Sequence, residues 1–189
     1  MKIIAGDEKG RNILTPKGQE TRPTMARVRE SLFSIIAGDV PGSTFYDMFS
    51  GGGAIGLEAL SRGADKAIFV ENWRDALLCL KQNIHALDLT TKSVIIQGDA
   101  TRWPIPSHAP APDIIFADPP YQPELITKFM EALEAASLPP NVLIILQAPR
   151  HYKPTTTLRH LRTVAYGKTS VHFYLTDTAT TPADSPKTD

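Results

Sequence analysis

The chain has 189 residues, 42% hydrophobic and 21% charged, an ordinary composition for one compact globular domain. The 20 Lys and Arg balance the 20 Asp and Glu, and a formal net charge of zero excludes a molecule that binds polyanions over its whole surface, leaving only local patches. A single cysteine, Cys79, excludes an internal disulfide, and no apolar run approaches the roughly 20 residues that span a bilayer.

The opening MKIIAGDEKG lacks the apolar core of a secretory leader, so a cytoplasmic protein is expected. KIIA and NILT are short apolar runs around GDEKGR, which predicts a hairpin. Over residues 1–36, Lys2, Lys9, Arg11, Lys17, Arg22, Arg27 and Arg29 face Asp7, Glu8, Glu20 and Glu30, an excess of three positive charges that the rest of the chain must offset. Thr24 is the predicted N-cap of a helix whose apolar face is Met25, Val28, Leu32, Ile35 and Ile36. Residues 1–36 thus read as a basic extension of hairpin and helix.

From there the pattern alternates. TFYDMF is a strand, AIGLEALSRG a helix closed by Gly63, and KAIFVE a strand. WRDALLCLKQNIHALDL is a helix with Leu77, Leu80, Ile84 and Leu87 on one face. SVIIQ and DIIFA are strands, PELITKFMEALEAAS is a helix, and NVLIIL is a strand. Such alternation predicts βαβ units in a parallel sheet with helices on both faces. The unbroken apolar runs agree, because strands buried on both sides need no polar face. LRTVAY and SVHFYLT flank a short turn with Gly167, which predicts an antiparallel hairpin added to the sheet. The expected fold is therefore an α/β, Rossmann-like, seven-stranded, mostly parallel sheet. The body is assigned to 37–176, and the nearly apolar-free 177–189 to a disordered tail.

Two places carry chemistry. Gly51, Gly53 and Gly56 form G-x-G-x-x-G between a strand and a helix, where glycine lets a ligand approach the backbone and the helix offers free N–H groups. A tight turn that merely needs glycine is the bland alternative. Three acids argue against it, because Asp47, Glu71 and Asp99 fall at the carboxyl ends of three successive strands, where open α/β sheets bind ligands. An acid after the second strand suits ribose hydroxyls. Asp99, with the Ala100 N–H, suits an adenine edge. A pyrophosphate beside Asp47 would be repelled, whereas S-adenosylmethionine is cationic and favours acids, so the charge logic points to that cofactor over NAD.

The second place is Asp118-Pro119-Pro120-Tyr121, at the end of the fourth strand. A carboxylate and a carbonyl held by proline can both accept from one –NH2 group, and Tyr121 can stack on a base. That arrangement suits methyl transfer to the exocyclic amine of a base. The lone pair of such an amine is delocalised, and two acceptors direct it outward. A rigid loop, with Asp118 as a cap, is the structural alternative.

Together DMFSGGGAIGLEALSRGA, VEN, GDA and DPPY resemble class I S-adenosylmethionine-dependent methyltransferases of the D/N-P-P-Y group. MKIIAGDEKGRNILTPKG followed by TRPTMARVRESLFSII is similar to the bacterial 16S ribosomal RNA guanine-N2 methyltransferases of the guanine(966) type. The resemblance spans Met1 to about Thr176. It implies methyl transfer to guanine N2 in 16S rRNA, within a small-subunit particle and by a monomer. It further implies that Asp47, Ser50, Gly51, Gly53, Glu71, Asn72, Asp99 and Ala100 hold the cofactor. Asp118, Pro119, Pro120 and Tyr121 would hold the guanine, and Lys9, Arg11, Arg22, Arg27 and Arg29 the RNA. The chain departs from the family pattern at Gly52, where serine is usual, and at Gln147, where an acid is common. The tetrapeptide alone leaves adenine or cytosine open as targets, and an RNA-binding assembly factor without turnover is a further alternative.

No metal is expected, since the five histidines show no ligand spacing. Arg62, four residues after Glu58, predicts an ordinary helix-surface ion pair.

Overall fold

The structure, a computed structural model, describes residues 1–16 and 23–177. The elements run α1 (Pro23–Ile35), β1 (Thr44–Asp47), α2 (Ala54–Ser61), β2 (Lys66–Glu71), α3 (Arg74–Ala86), β3 (Ser93–Gln97), β4 (Ile114–Ala117), α4 (Pro123–Ala135), β5 (Leu143–Pro149), β6 (Arg159–Tyr166) and β7 (Thr169–Leu175). The sheet order is β3-β2-β1-β4-β5-β7-β6, with the first five strands parallel and β7 antiparallel to both β5 and β6. This is the expected Rossmann-like sheet with its C-terminal hairpin. The chain moves outward from β1 to β3 and then returns to place β4 on the other side of β1. The carboxyl ends of β1 and β4 therefore border the crevice at the switch of direction.

Period-two alternation sorts the central strands between two apolar layers. Phe45, Phe69, Phe116 and Ile145 face α1, α2 and α3, and pack with Val28, Leu32, Leu57, Leu80 and Ile84. Tyr46, Ile68, Val70, Ile115 and Ile144 face α4, and pack with Ile126, Phe129, Met130 and Leu133. With both faces covered, every other position must be apolar on each side, which is why these strands read as continuous apolar runs.

Four expectations change or are refined. The N-terminal hairpin forms as expected but its ladder is short, one antiparallel bridge Lys2–Asn12 flanked by the Ile3 N–H to the Arg11 carbonyl (3.0 Å) and the Ile13 N–H to the Met1 carbonyl (2.8 Å). Its glycines take positive φ at Gly6 and Gly10, and a Cβ on Gly6 would overlap the Ser61 carbonyl at 1.7 Å, so the turn sits directly on the end of α2. Helix α1 opens at Pro23, so Thr24 lies inside its first turn and is not the N-cap; proline at a first helical position gives up no hydrogen bond. Strand β5 continues to Pro149, three residues beyond NVLIIL, because β7 supplies a partner along its whole length, from Leu143↔Leu175 to Pro149↔Thr169.

The fourth change concerns Glu58. It is no surface group but is fully buried, and its carboxylate accepts from the backbone N–H groups of Ile4 (2.8 Å) and Ala5 (3.0 Å) as well as from Arg62 Nε (2.8 Å). Ile3 and Ile13 join the same apolar layer as α1 and α2, so the N-terminal segment is part of the core. The expected tail beyond residue 177 lies outside the described residues.

Candidate active site

The alternation that builds the core also builds the site. Two residues past Phe45, Phe69, Phe116 and Ile145, on the same sheet face, stand Asp47, Glu71, Asp118 and Gln147. Asp99 is likewise two residues past Gln97, which pairs with Glu71. Five polar residues thus cap one apolar face at the carboxyl ends of five adjacent parallel strands.

Asp47 is 2% exposed, and its Oδ2 accepts from the Gly56 N–H at 2.9 Å. Burial, with further repulsion from Glu71 and Asp118, pushes its carboxyl up to about 7 against the opposing Gly56 hydrogen bond. Gly56 is required here because a Cβ would lie 2.3 Å from the Phe69 ring. The Ser50–Gly53 loop leaves β1 sharply. Ser50 is buried and donates its N–H to the Val70 carbonyl at 3.1 Å, and the Gly53 N–H returns to the Ser50 carbonyl at 2.7 Å. Gly53 sits before α2 at φ 84, left-handed, and has no room for a Cβ, which would meet Leu80 at 2.5 Å. Gly52 is approached by the N-terminal segment, since a Cβ there would lie 3.0 Å from the Leu14 carbonyl oxygen. Glycine at this departure from the family pattern therefore lets residues 14–16 close over the loop.

Glu71 accepts from the Gly51 N–H through Oε2 (2.7 Å) and from the Asn72 and Trp73 N–H groups through Oε1 (2.9 and 2.8 Å). It therefore ties the glycine loop to the turn that opens α3. Asp99 Oδ1 accepts from the Thr101 N–H (2.9 Å) and hydroxyl (2.8 Å), which fixes the turn containing buried Ala100. The four acids fit a cationic ligand by charge. The loop and the first turn of α2 carry backbone donors but no basic side chain, a poor match for a pyrophosphate.

Across the switch point, Asp118 is half-buried, and burial raises its carboxyl to about 7, opposed by a hydrogen bond from the Gln147 side chain. Pro119 is buried and Pro120 exposed. Tyr121 is 46% exposed; its hydroxyl lies 2.8 Å from Thr169 Oγ1 and accepts from Gln147 Nε2 at 3.2 Å. One β5 amide thus holds both polar ends of the tetrapeptide. Gln147 was legible from the sequence only as a departure; its place in the row of strand-end polar residues marks it as a member of the site. Asn83 was missed altogether. This buried α3 residue clasps the Leu14 N–H (2.7 Å) and carbonyl (3.0 Å) and the Gly52 carbonyl (2.8 Å), linking the N-terminal segment to the loop. A polar residue amid the apolar face of α3 was the available signal.

The proposed RNA contacts are not brought together. Arg29 is a correction: only 4% exposed, it donates to the Lys2 carbonyl (2.6 Å) and to Met1 Sδ (2.7 Å), with Nε 3.9 Å from Glu58. Its guanidinium is a structural link under the N-terminus and offers no surface to RNA. Arg11 pairs with Glu8 at 2.6 Å and also bonds the Ala86 carbonyl at the end of α3. Helices α2 and α3 run back from the strand carboxyl ends, so Arg11 and the neighbouring exposed Lys9 lie toward the end of the sheet away from the crevice. Arg27 is exposed on α1, and Arg22 falls outside the described residues. Among the described residues, no group of His, Cys, Asp and Glu could hold a metal, and no helix is long and apolar enough to cross a membrane.

Comparison with known proteins places these features in a family. The family described as "Conserved hypothetical protein 95" matches residues 1–175. The YlbH protein of Bacillus subtilis, which carries an rRNA-methyltransferase name, is 33% identical over 183 residues, covering 92% of this chain and 98% of its own. Ribosomal RNA small subunit methyltransferase D of Haemophilus influenzae is 34% identical over 160 residues, covering 83% and 82%. Among solved structures, the Escherichia coli protein yhhF, described as a methyltransferase, superposes with a TM-score of 0.82 at 27% identity, covering 94% of this chain and 98% of that one.

Proposed function

The chain belongs to the family described as conserved hypothetical protein 95, which includes small-subunit rRNA methyltransferases, and from that membership we propose that it methylates the exocyclic N2 of a guanine in 16S rRNA, of the guanine(966) type. The observation that carries the reading is the adjacency of two unlike sites across β1 and β4: the acid-lined glycine loop beside Asp47, and the Asp118–Tyr121 clamp.

S-adenosylmethionine, when bound, supplies an electrophilic methyl group on a positively charged sulfur. The remaining work belongs to the chain. Asp47 and the Ser50–Gly53 loop receive the cationic amino-acid end, Glu71 and Asn72 the ribose, and Asp99 with Ala100 the adenine. The Asp118 carboxylate and the Pro119 carbonyl accept the two N–H bonds of the guanine amine, turning its lone pair toward the methyl. Tyr121 offers a face for stacking, worth roughly 1–3 kcal/mol per base. Gln147 keeps Asp118 and Tyr121 in register. The nitrogen–carbon bond forms as the carbon–sulfur bond breaks, and the methylated amine then loses its proton, so no strong base is needed. Catalysis is positioning and electrostatics.

Mass analysis of nucleosides from 16S rRNA of a strain lacking the gene tests the reading. The expected result is loss of one N2-methylguanine, restored by the wild-type gene and not by Asp118→Ala. Unchanged N2-methylguanine overturns the assignment. Loss of N6-methyladenine or N4-methylcytosine instead redirects it to another base.

A further inference from the structure

The positive charge that matters most for the site lies in a part of the chain that the N-terminal asymmetry hides. Between Ala135 and Thr176 there is no Asp or Glu, while Arg150, Lys153, Arg159, Arg162 and Lys168 are all present. The molecule is neutral overall, so this acid-free stretch is a strong segregation of charge.

The fold then brings one end of it to the clamp. Pro149 pairs with Thr169, and the Arg150 N–H donates to the Lys168 carbonyl at 2.9 Å, which places both basic residues at the carboxyl end of β5. Arg150 Nη1 donates to the Gly167 carbonyl at 3.2 Å and stays exposed. Thr169, next to Lys168, meets the Tyr121 hydroxyl. Lys153 follows Tyr152, whose N–H donates to the Pro149 carbonyl at 2.8 Å and whose hydroxyl lies 3.0 Å from Thr127 Oγ1 of α4, so Lys153 lies in the turn that leaves β5. His151 and Lys153 are exposed, as is Lys168. Arg159 and Arg162 lie further down β6, with Arg162 stacked on Phe173 at 5.0 Å. The acids at this end of the sheet, Asp47, Glu71 and Asp99, stand on the far side of β4, and Glu124 is the acid in the first turn of α4.

We propose that Arg150, Lys153 and Lys168 form a phosphate-binding platform that holds the RNA backbone next to the base gripped by Asp118 and Tyr121. The inference rests on the reading of the clamp as a base site. The physical reason is division of labour by charge. The acid-lined half of the crevice suits a cation and repels phosphates, so a nucleotide reaching Asp118 must bring its backbone in from the other side. That side is the end of β5, where Arg150 and Lys168 stand near Tyr121 with Lys153 in the turn beyond, and where Asp118 itself is the strand-end acid beside them. The platform carries no sequence information; it sets position and adds salt-dependent affinity.

The test uses the full chain and two double variants, Arg150→Ala/Lys168→Ala and Lys153→Ala/Lys168→Ala. The second removes side chains that make no hydrogen bond to the described residues. Methylation is measured on small-subunit particles from the deletion strain, together with binding of deproteinised 16S rRNA across a salt series and of S-adenosylhomocysteine. The expected result is a roughly tenfold rise in KM for the particle and in Kd for the RNA at low salt. The slope of log Kd against log salt should fall by about 2, one for each phosphate no longer neutralised. Cofactor affinity stays unchanged, and Arg150→Lys/Lys168→Arg restores the wild-type values. Unchanged KM and salt slope in both double variants overturn the platform. If the wild type methylates nothing but binds RNA with the expected variant dependence, the methylation reading falls and the platform stands.

Discussion

At the scale of single residues, Asp118 decides most. An ionised carboxylate accepts from an amine more strongly than a protonated one, and burial raises the Asp118 carboxyl to about 7. In the proposed reaction, kcat/KM should therefore rise with pH through about 7, falling close to tenfold per pH unit below it. A pH profile flat from about pH 5.5 to 8 would contradict an Asp118 that titrates near 7 in the reaction. Asp118→Asn removes the charge while leaving the shape, and should lower kcat by roughly 10²–10³, the scale of losing one preorganised electrostatic contact. Binding of S-adenosylhomocysteine by calorimetry should survive that change, because Asp47 and Glu71 lie on the cofactor side. Gln147→Ala should cost less, because it only aligns groups that remain present. Its alignment role was invisible in the sequence, where glutamine at a strand end has no signature; the pairing of β5 with β4 and β7 reveals it.

At the scale of elements, the N-terminal segment and α2 are joined through Glu58. Arg29 is buried beneath them with its Nε lacking a hydrogen bond, and desolvation lowers its pKa while Glu58 raises it. Glu58→Ala leaves that guanidinium uncompensated and orphans the Ile4 and Ala5 N–H groups. Breaking a buried pair in this way costs about 3–5 kcal/mol. At about 2–4 °C per kcal/mol for a domain of this size, Tm should fall by roughly 6–20 °C. A fall under about 2 °C by calorimetry would show that the network contributes little. Gly53→Ala tests the loop. It forces a left-handed residue, costing about 1–2 kcal/mol, and crowds Leu80, so it should weaken cofactor binding more than RNA binding. The elements themselves were mostly legible, since α2, α3, α4 and the five parallel strands each follow an apolar period. The N-terminal hairpin was legible as a hairpin, and its two runs bond each other through Ile3, Arg11, Met1 and Ile13, but its seat on α2 and α3 through Glu58 and Asn83 was not.

At the scale of the whole molecule, the strand ends divide at β4, with Asp47, Glu71 and Asp99 on one side and Arg150 and Lys168 at the end of β5 on the other. The folded protein holds Asp47 and Asp118 near 7, whereas unfolded carboxyls titrate near ~3.9. Between about pH 4 and 7 the folded state therefore binds more protons, and the contribution of these groups to stability falls as pH rises through that window. The ligand-free protein should melt higher at about pH 5.5 than at about pH 7.5, and Asp47→Asn should flatten the difference. If scanning calorimetry finds the same pH slope in Asp47→Asn, burial of Asp47 is not its source. A cationic ligand acts in the opposite sense, favouring the ionised acids, so its stabilisation should grow over the same range.

The sequence by itself determined the alternating sheet, the glycine loop, the row of acids and the Asp118–Tyr121 tetrapeptide at the end of β4. Each is encoded locally, by apolar period, by glycine where backbone is approached, or by a run of four residues at a strand end. Only the tertiary structure decided which charges face outward. Arg29 and Glu58 look like surface residues of their own helices and become buried when α1, α2 and the N-terminus converge. Arg150 and Lys168, 18 positions apart, become neighbours because β7 pairs antiparallel with β5. Exposure and adjacency are properties of packed elements, and a linear pattern of charges does not contain them.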